Sequence, residues 1–219
     1  MQVVIAGGHG KIGLRLAALL ANRGDVVTGV VRNPDHGPDL EKVGAAAAVL
    51  DLETADADEL AAVLVGADSV VFAAGAGPGS GVDRKETVDR AAAVLLADAA
   101  RIAGVRRYLL VSSPGVDAPP EPERGEVWGA YIAAKKAAEE AIRSADHLDW
   151  TVLRPGSLTD DPGGGRVLLA PPPVALGPVT RDDTAAVLLA LLDAPGSAGK
   201  VLELREGDVG VAEAVVGVS

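Results

Sequence analysis

A tyrosine and a lysine four residues apart, Tyr131 and Lys135, have the spacing that proton transfer requires. Positions four apart share one face of a helix, so Lys135 would place an ammonium one turn from the Tyr131 phenol. A nearby positive charge favours the ionised phenolate, which suits Tyr131 to exchange a proton with a substrate oxygen. Ser112 and Ser113 end an apolar run and could donate a hydrogen bond to the same oxygen. The alternative is a core tyrosine followed by a surface lysine.

A glycine-rich turn follows the first apolar run of the chain, Val3–Ala6, and leads into a helical pattern. In such a turn one glycine makes the sharp exit from the strand, a second lets the backbone approach a pyrophosphate, and a third packs the helix on the sheet. The helix N-terminus then faces the anion. A plain tight turn is the alternative. The residues predicted to bind the nucleotide here are Gly7, Gly10, Lys11, Ile12 and Gly13.

The residue after the second predicted strand, Val26–Val31, indicates which nucleotide is preferred. In a βαβ unit this residue meets the adenosine ribose, where a carboxylate would bind the free hydroxyls of NAD. Here the position is taken by Arg32, and no acid follows before Asp35. Because a guanidinium pairs bidentately with a 2′-phosphate, we predict that NADP(H) is preferred over NAD(H). A solvated surface arginine is the alternative.

Strands and helices alternate along the rest of the chain. We predict a third strand at Ala45–Leu50 although alanine favours helices, because the run is short and lies between Gly44 and a polar turn. A fourth strand ends in Ala73, Ala74 and Gly75, whose small size lets a dinucleotide approach the backbone. The alternation predicts an α/β fold, a doubly wound parallel sheet (Rossmann fold), in a single domain. Residues 157–180 are predicted as a small, variable substrate lobe.

Several segments resemble a known superfamily. The spacing G-x-x-G-x-x-G from Gly7 resembles the short-chain dehydrogenase/reductases, and four further segments resemble their atypical members, the NAD(P)H-binding Rossmann-fold proteins. Those segments are Thr87-Val88-Asp89, Asp98-Ala99-Ala100, Gly104-Val105-Arg106-Arg107 and Val111-Ser112-Ser113. The resemblance covers nearly the whole chain. It implies the strand order 3-2-1-4-5-6 and one NAD(P) molecule bound across the sheet.

The resemblance also implies roles for individual residues. Asp51 and Leu52 would contact the adenine, with Asp51 as a cap of the next helix being the alternative. Lys135 would contact the nicotinamide ribose as well as the phenol. Pro155 and Gly156 would flank the nicotinamide.

Composition narrows the range of partners. The 219 residues are 48% hydrophobic, enough to form one buried core. The net charge of −11 repels nucleic acid and anionic lipid, so we predict neither a nucleic acid nor a membrane as a partner. Cysteine is absent and the three histidines lack ligand spacing, so we predict no metal site. No cationic leader precedes the first strand, and we expect a cytoplasmic protein.

These patterns predict an NADP(H)-dependent oxidoreductase of the atypical short-chain dehydrogenase/reductase type. Hydride would pass to or from a small carbonyl or alcohol substrate, with Tyr131 as acid/base, Lys135 as its electrostatic partner and Ser112 or Ser113 as oxygen donor. One alternative is a regulatory protein that senses NADP(H) without turnover. Another is an enzyme similar to the sugar-nucleotide epimerases. The sequence indicates neither the substrate nor the oligomeric state.

Overall fold

A computed structural model describes residues 1–77, 79–119 and 121–219. The strands are β1 Gln2–Ala6, β2 Val26–Val31, β3 Ala46–Val49, β4 Ser69–Phe72, β5 Arg107–Val111, β6 Asp149–Pro155, β7 Ser157–Thr159, β8 Arg166–Ala170, β9 Pro178–Thr180, β10 Lys200–Glu206 and β11 Val209–Gly210. The helices are α1 Lys11–Arg23, α2 Gly37–Lys42, α3 Ala57–Val63, α4 Val82–Arg84, α5 Ala92–Ala103, α6 Glu126–Arg143, α7 Arg181–Leu192 and α8 Val211–Gly217. A π-helical segment, Lys85–Ala91, joins α4 to α5.

Nine strands form one sheet in the order β11-β8-β10-β6-β5-β4-β1-β2-β3. The strands from β3 to β10 pair in parallel, whereas β8 is antiparallel to β10 and to β11. The predicted doubly wound parallel sheet is confirmed, and so is the strand order 3-2-1-4-5-6. The chain folds as a single domain. The predicted substrate segment contributes β8 to the main sheet and pairs β7 with β9 in a separate two-stranded sheet.

The sheet is buried on both faces, as a parallel sheet flanked by helices requires. In β1, Val3 and Ile5 pack in one core and Val4 and Ala6 in the other, because successive side chains of a strand point to opposite faces. The alanine-rich segment predicted as the third strand is confirmed as β3, which pairs with β2. Sheet pairing therefore overrides the helical propensity of alanine here.

Arg154 ties the loop after β5 to the sheet. Its guanidinium is 1% exposed and donates two hydrogen bonds to Glu139 of α6, at 2.9 and 2.6 Å, and one of 2.6 Å to Asp117. Glu203 of β10 lies 3.7 Å away. The guanidinium lowers the pKa of Asp117. Because a buried cation must be paired, this cluster holds the elements that border the carboxyl ends of β5 and β6.

Two further observations concern the described residues as a whole. None of the helices in this part of the chain combines the length and apolar character needed to cross a bilayer. Within the same residues, no group of three or more histidine, aspartate or glutamate side chains is arranged to hold a metal ion.

Candidate active site

Two adjoining clefts lie at the carboxyl ends of the parallel strands, the edge at which ligands bind in open α/β sheets. The large cleft has a volume of about 890 Å³, and the small cleft about 370 Å³. They meet at Ala73, Ala74 and Gly75, directly after β4, which line both. A dinucleotide could therefore extend from one cleft into the other across the end of this strand.

Most of the residues that the sequence singles out line one of these clefts. The large cleft contains Ile12, Ser112, Ser113, Tyr131, Lys135, Pro155 and Gly156. The small cleft contains Gly7, Gly10, Arg32, Asp51 and Leu52. Two predicted residues line neither: the ammonium of Lys11 is 2.5 Å from Asp160 in the segment after β7, and Gly13 is buried within α1.

The turn after β1 fits a dinucleotide pyrophosphate. Gly7 has a φ of +84°, and a Cβ at this position would come within 2.6 Å of the Cα of Ala74. Gly10 is the N-cap of α1, and its exposed backbone begins the helix without any capping side chain. The free amide groups at this helix N-terminus and the approach of the turn to the strand end make a surface suited to an anion. The residues present therefore fit the phosphates of NAD(P).

Lys135 is held in place beside Tyr131 by two groups that belong to different elements. Its ammonium, 4% exposed, donates to the carbonyl of Val111 at 3.1 Å and lies 3.3 Å from the carboxylate of Asp89. The ammonium is 6.0 Å from the centre of the Tyr131 ring, and the Trp128 ring is 5.5 Å from that centre. The Tyr131 ring thus has both an aromatic ring and a buried cation as neighbours.

The second tyrosine of the chain has a different environment. Tyr108 is fully buried in the core, and its hydroxyl donates to the carbonyl of Ala93 at 2.9 Å. Burial raises the pKa of Tyr108 well above its ordinary value. Tyr131 is therefore the tyrosine that can meet a ligand.

The two serines after β5 differ in their hydrogen bonds. Ser113 donates to the carbonyl of Pro114 at 3.2 Å. The hydroxyl of Ser112 is buried and has no hydrogen-bond partner among the residues that the structure describes. Because a buried hydroxyl without a partner costs free energy, Ser112 is the serine that a ligand oxygen would satisfy.

Two charged residues of the π-helical segment were not predicted as site residues, although Asp89 belongs to one of the segments that carry the family resemblance. Lys85 and Asp89 are both buried and both line the large cleft. Asp89 accepts a hydrogen bond from the backbone amide of Ala76 and pairs with Lys135. Two opposite charges four residues apart in an otherwise helical pattern read as a solvated ion pair, so the sequence carried only a weak signal for them.

The small cleft contains an acid that the sequence did not predict beside Arg32. Glu53 accepts a hydrogen bond from Arg32 at 2.9 Å, from Arg84 at 2.8 Å and from Thr87 at 2.6 Å. The hydrogen bond from Arg84, followed by that from Thr87, lowers the pKa of Glu53. No acid follows Arg32 in the chain before Asp35, as expected. An acid nevertheless pairs with Arg32, because Glu53 reaches it from the segment that follows the neighbouring strand β3.

Two other features of the small cleft concern its rim. The rings of His9 and His36 stack with centres 3.7 Å apart, and neither histidine was singled out in the sequence as a ligand-binding residue. Asp51 accepts from the amide of Glu53 at 3.0 Å. The alternative that Asp51 caps the next helix is wrong, since Asp56 is the N-cap of α3.

The chain is similar to known proteins in both sequence and structure. The sequence profile of the family described as NAD(P)H-binding matches residues 7–195. A protein of Bacillus subtilis (strain 168), named uncharacterized sugar epimerase YhfK, is 35% identical over 216 residues, which cover 98% of this chain and 99% of that protein. A solved structure from Bacillus halodurans, which carries the provisional name NAD-dependent epimerase/dehydratase, superposes with a TM-score of 0.90 at 32% identity over 99% of both chains. The oxidoreductase ylbE from Lactococcus lactis superposes with a TM-score of 0.86 at 25% identity, over 100% of this chain and 96% of that one.

Proposed function

Because the chain belongs to the family of NAD(P)H-binding Rossmann-fold proteins, we propose that it is an NADP(H)-dependent oxidoreductase of the atypical short-chain dehydrogenase/reductase type. Its substrate is a small carbonyl compound or the corresponding alcohol. The observation that carries the proposal is that Tyr131, Lys135 and Ser112, whose hydroxyl has no partner among the described residues, line the same cleft. This cleft adjoins the small cleft at the end of β4.

Each of the three residues has a defined task in this reaction. When bound, NADPH supplies the hydride. Ser112 donates a hydrogen bond to the carbonyl oxygen of the substrate, and Tyr131 delivers a proton to that oxygen. Lys135 provides the positive charge that favours the phenolate left behind, and its contacts with Val111 and Asp89 fix its position. A buried hydroxyl that the described residues leave without a partner favours an enzyme over a sensor that only binds the nucleotide.

The preference for NADP(H) rests on the two arginines of the small cleft. Arg32 and Arg84 both reach into this cleft and both donate to Glu53. A 2′-phosphate is a stronger acceptor than a single carboxylate because it offers more negative charge and three oxygens. The phosphate would take over these hydrogen bonds and release Glu53.

A second candidate function is epimerisation of a sugar substrate, which is favoured by the name of the Bacillus subtilis relative. The same tyrosine and lysine would serve, but the nucleotide would return to its starting state after each cycle. The two reactions therefore differ in whether NADPH is consumed. Net consumption with a carbonyl compound supports the oxidoreductase.

The test compares Tyr131→Phe with Tyr108→Phe. A panel of carbonyl compounds is screened for loss of NADPH absorbance, and the best substrate is used for both variants. We expect Tyr131→Phe to lose about 10²- to 10⁴-fold in turnover while keeping its affinity for NADPH. Tyr108→Phe removes a core hydroxyl, so it lowers stability but leaves turnover near the wild-type value. A Tyr131→Phe variant as active as the wild type would rule out the catalytic role of Tyr131.

A further inference from the structure

We propose that the substrate of the large cleft carries an anionic group, a carboxylate or a phosphate, and that Lys85 binds it next to the reacting carbonyl. The proposal rests on the function proposed above and adds the chemical class of the substrate. It starts from the charge balance of the cleft.

Four cations line the large cleft, and three of them have an acidic partner. Lys135 pairs with Asp89 at 3.3 Å, Arg124 with Glu121 at 3.5 Å, and Arg181 with Asp160 at 3.0 Å. Lys85 differs from all three. In the part of the chain that the structure describes, no carboxylate lies within 4.0 Å of its ammonium, which donates instead to the carbonyl of Gly77 at 3.3 Å.

Burial makes this missing partner significant. Lys85 is only 8% exposed and lines the cleft, so most of its side chain is removed from water and its ammonium borders the space that a ligand would occupy. An ion removed from water needs an opposite charge or several hydrogen bonds to compensate, and one carbonyl provides little of this. An anion in the cleft would supply the compensation. The chain as a whole carries a net charge of −11, so the local positive charge of Lys85 is what would hold an anion in the cleft.

The position of Lys85 relates the anion to the reaction. Lys85 begins the π-helical segment, and its ammonium is 5.5 Å from the centre of the Tyr131 ring. Irregular helical turns of this kind are frequent at functional sites. A substrate whose carbonyl meets Tyr131 and Ser112 would therefore place a group only a few bonds away at Lys85. Short oxo acids and oxo phosphates have this arrangement.

The walls of the cleft suit the remaining part of such a molecule. Trp128 presents its ring to the cleft, and the Arg124 guanidinium stacks on this ring with its central carbon 3.4 Å from the ring centre. Leu158 and Leu176 also line the cleft. The chain has two tryptophans, and of these Trp128 lines the cleft whereas Trp150 does not. A change in tryptophan fluorescence on addition of a ligand therefore reports binding at Trp128, independently of turnover, and Trp150 contributes a constant background.

The experiment measures ligand binding by tryptophan fluorescence in protein saturated with NADP⁺. Two matched pairs of probes are used: pyruvate with methyl pyruvate, and dihydroxyacetone phosphate with dihydroxyacetone. In each pair only one member is charged, so the pairs distinguish a carboxylate from a phosphate. We expect the charged member of one pair to bind about 10- to 100-fold more tightly than the neutral member, the range for a charge-assisted hydrogen bond.

The variants assign this preference to Lys85. Lys85→Met should abolish the preference for the charged probe, and Lys85→Arg should keep most of it. Lys136→Met is the control, because Lys136 is an exposed lysine on α6, next to Lys135 in the chain. Affinity for NADPH should be unchanged in all of them. If Lys85→Met does not fold, the wild-type preference and Lys85→Arg still test the proposal.

Two results would overturn the proposal. The first is equal affinity of the wild type for charged and neutral probes. The second is an unchanged preference in Lys85→Met, and a simultaneous loss of NADPH affinity in that variant would assign Lys85 to the nucleotide. Failure of the proposed oxidoreductase function would show separately, as absence of NADPH consumption despite binding of the charged probe.

Discussion

The guanidinium of Arg32 donates a hydrogen bond of 2.9 Å to the carboxylate of Glu53, which also accepts from Arg84 at 2.8 Å. Arg32 follows β2 and Glu53 follows β3, and these two strands pair in parallel. The acid that is absent from the chain next to Arg32 is therefore supplied by the neighbouring strand. If a 2′-phosphate binds here as proposed, it has to compete with this carboxylate for the two guanidinium groups.

Replacement of Arg32 tests the nucleotide preference. We expect the wild type to bind NADP⁺ more tightly than NAD⁺, and Arg32→Ala to lose about 10- to 100-fold in affinity for NADP⁺ with little change for NAD⁺. Calorimetric titration with both nucleotides measures this. Arg106→Ala is the control. Arg106 is exposed and pairs with Asp149 at the amino ends of β5 and β6, whereas the clefts lie at the carboxyl ends of the strands. Equal affinity of the wild type for both nucleotides would contradict the assignment of Arg32.

Glu53→Gln tests the competition in the same cleft. The variant removes the negative charge but keeps a group of similar size that can still accept a hydrogen bond. We expect its affinity for NADP⁺ to rise and its affinity for NAD⁺ to stay equal or fall, as measured in the same titrations. A lower affinity for NADP⁺ would mean that Glu53 orients the arginines for the phosphate instead of competing with it.

The difference in stability between the wild type and Glu53→Gln should decrease as the pH falls. Arg84 lowers the pKa of Glu53 from its ordinary 4.5. A carboxyl group whose pKa is lowered by folding stabilises the protein above its unfolded pKa, and this contribution is lost as the pH falls through the folded pKa. Glu53→Gln should therefore melt below the wild type near neutral pH, and the difference should shrink below about pH 4. Thermal unfolding followed by circular dichroism measures it, with the exposed Glu41→Gln as control. A difference in melting temperature that is constant across this range would refute the pairing.

A side chain at Gly10 should prevent binding of either nucleotide. A Cβ on Gly10 would lie 3.0 Å from the carbonyl oxygen of Gly7, and the rest of a valine would cover the amides at the N-terminus of α1, the proposed phosphate site. Gly210→Val is a matched control. Gly210 is also a helix N-cap, with φ and ψ of −60° and 144° against −62° and 154° at Gly10, and a Cβ there meets nothing within 4 Å. We expect both variants to fold and only Gly210→Val to bind NADPH. Normal binding by folded Gly10→Val would place the phosphate site elsewhere.

The two serines after β5 should separate in activity. Ser112→Ala removes the hydroxyl that has no partner among the described residues, so we expect turnover to fall by about 10²-fold or more. Ser113→Ala removes a hydroxyl that donates to the carbonyl of Pro114, and turnover should change little. Steady-state kinetics of both variants on one carbonyl substrate decides between them. The reverse result would assign the oxygen donor to Ser113.

Local patterns in the sequence determined where the strands of the sheet begin and end. The glycine turn after β1, the small residues after β4 and the polar boundaries of β3 each depend on a few neighbouring residues, so they could be recognised without the fold. The same holds for the spacing of Tyr131 and Lys135 on one helix. The family resemblance then supplied the order in which the strands pair.

Only the tertiary structure decided which charges meet at the site. Asp89 and Glu53 lie far along the chain from the cations they meet, and Lys85 lies far along the chain from Tyr131. Lys85 and Asp89 belong to a charged stretch, residues 83–90, that is typical of a solvated surface. Burial makes their pairing important, because a charged group removed from water costs free energy unless an opposite charge or hydrogen bonds compensate it. Asp89 meets Lys135 because the π-helical segment packs beside α6, whereas Lys85 enters the same cleft without a carboxylate among the described residues. Charge pairing across elements depends on packing in three dimensions, and no periodicity of a single strand or helix encodes it.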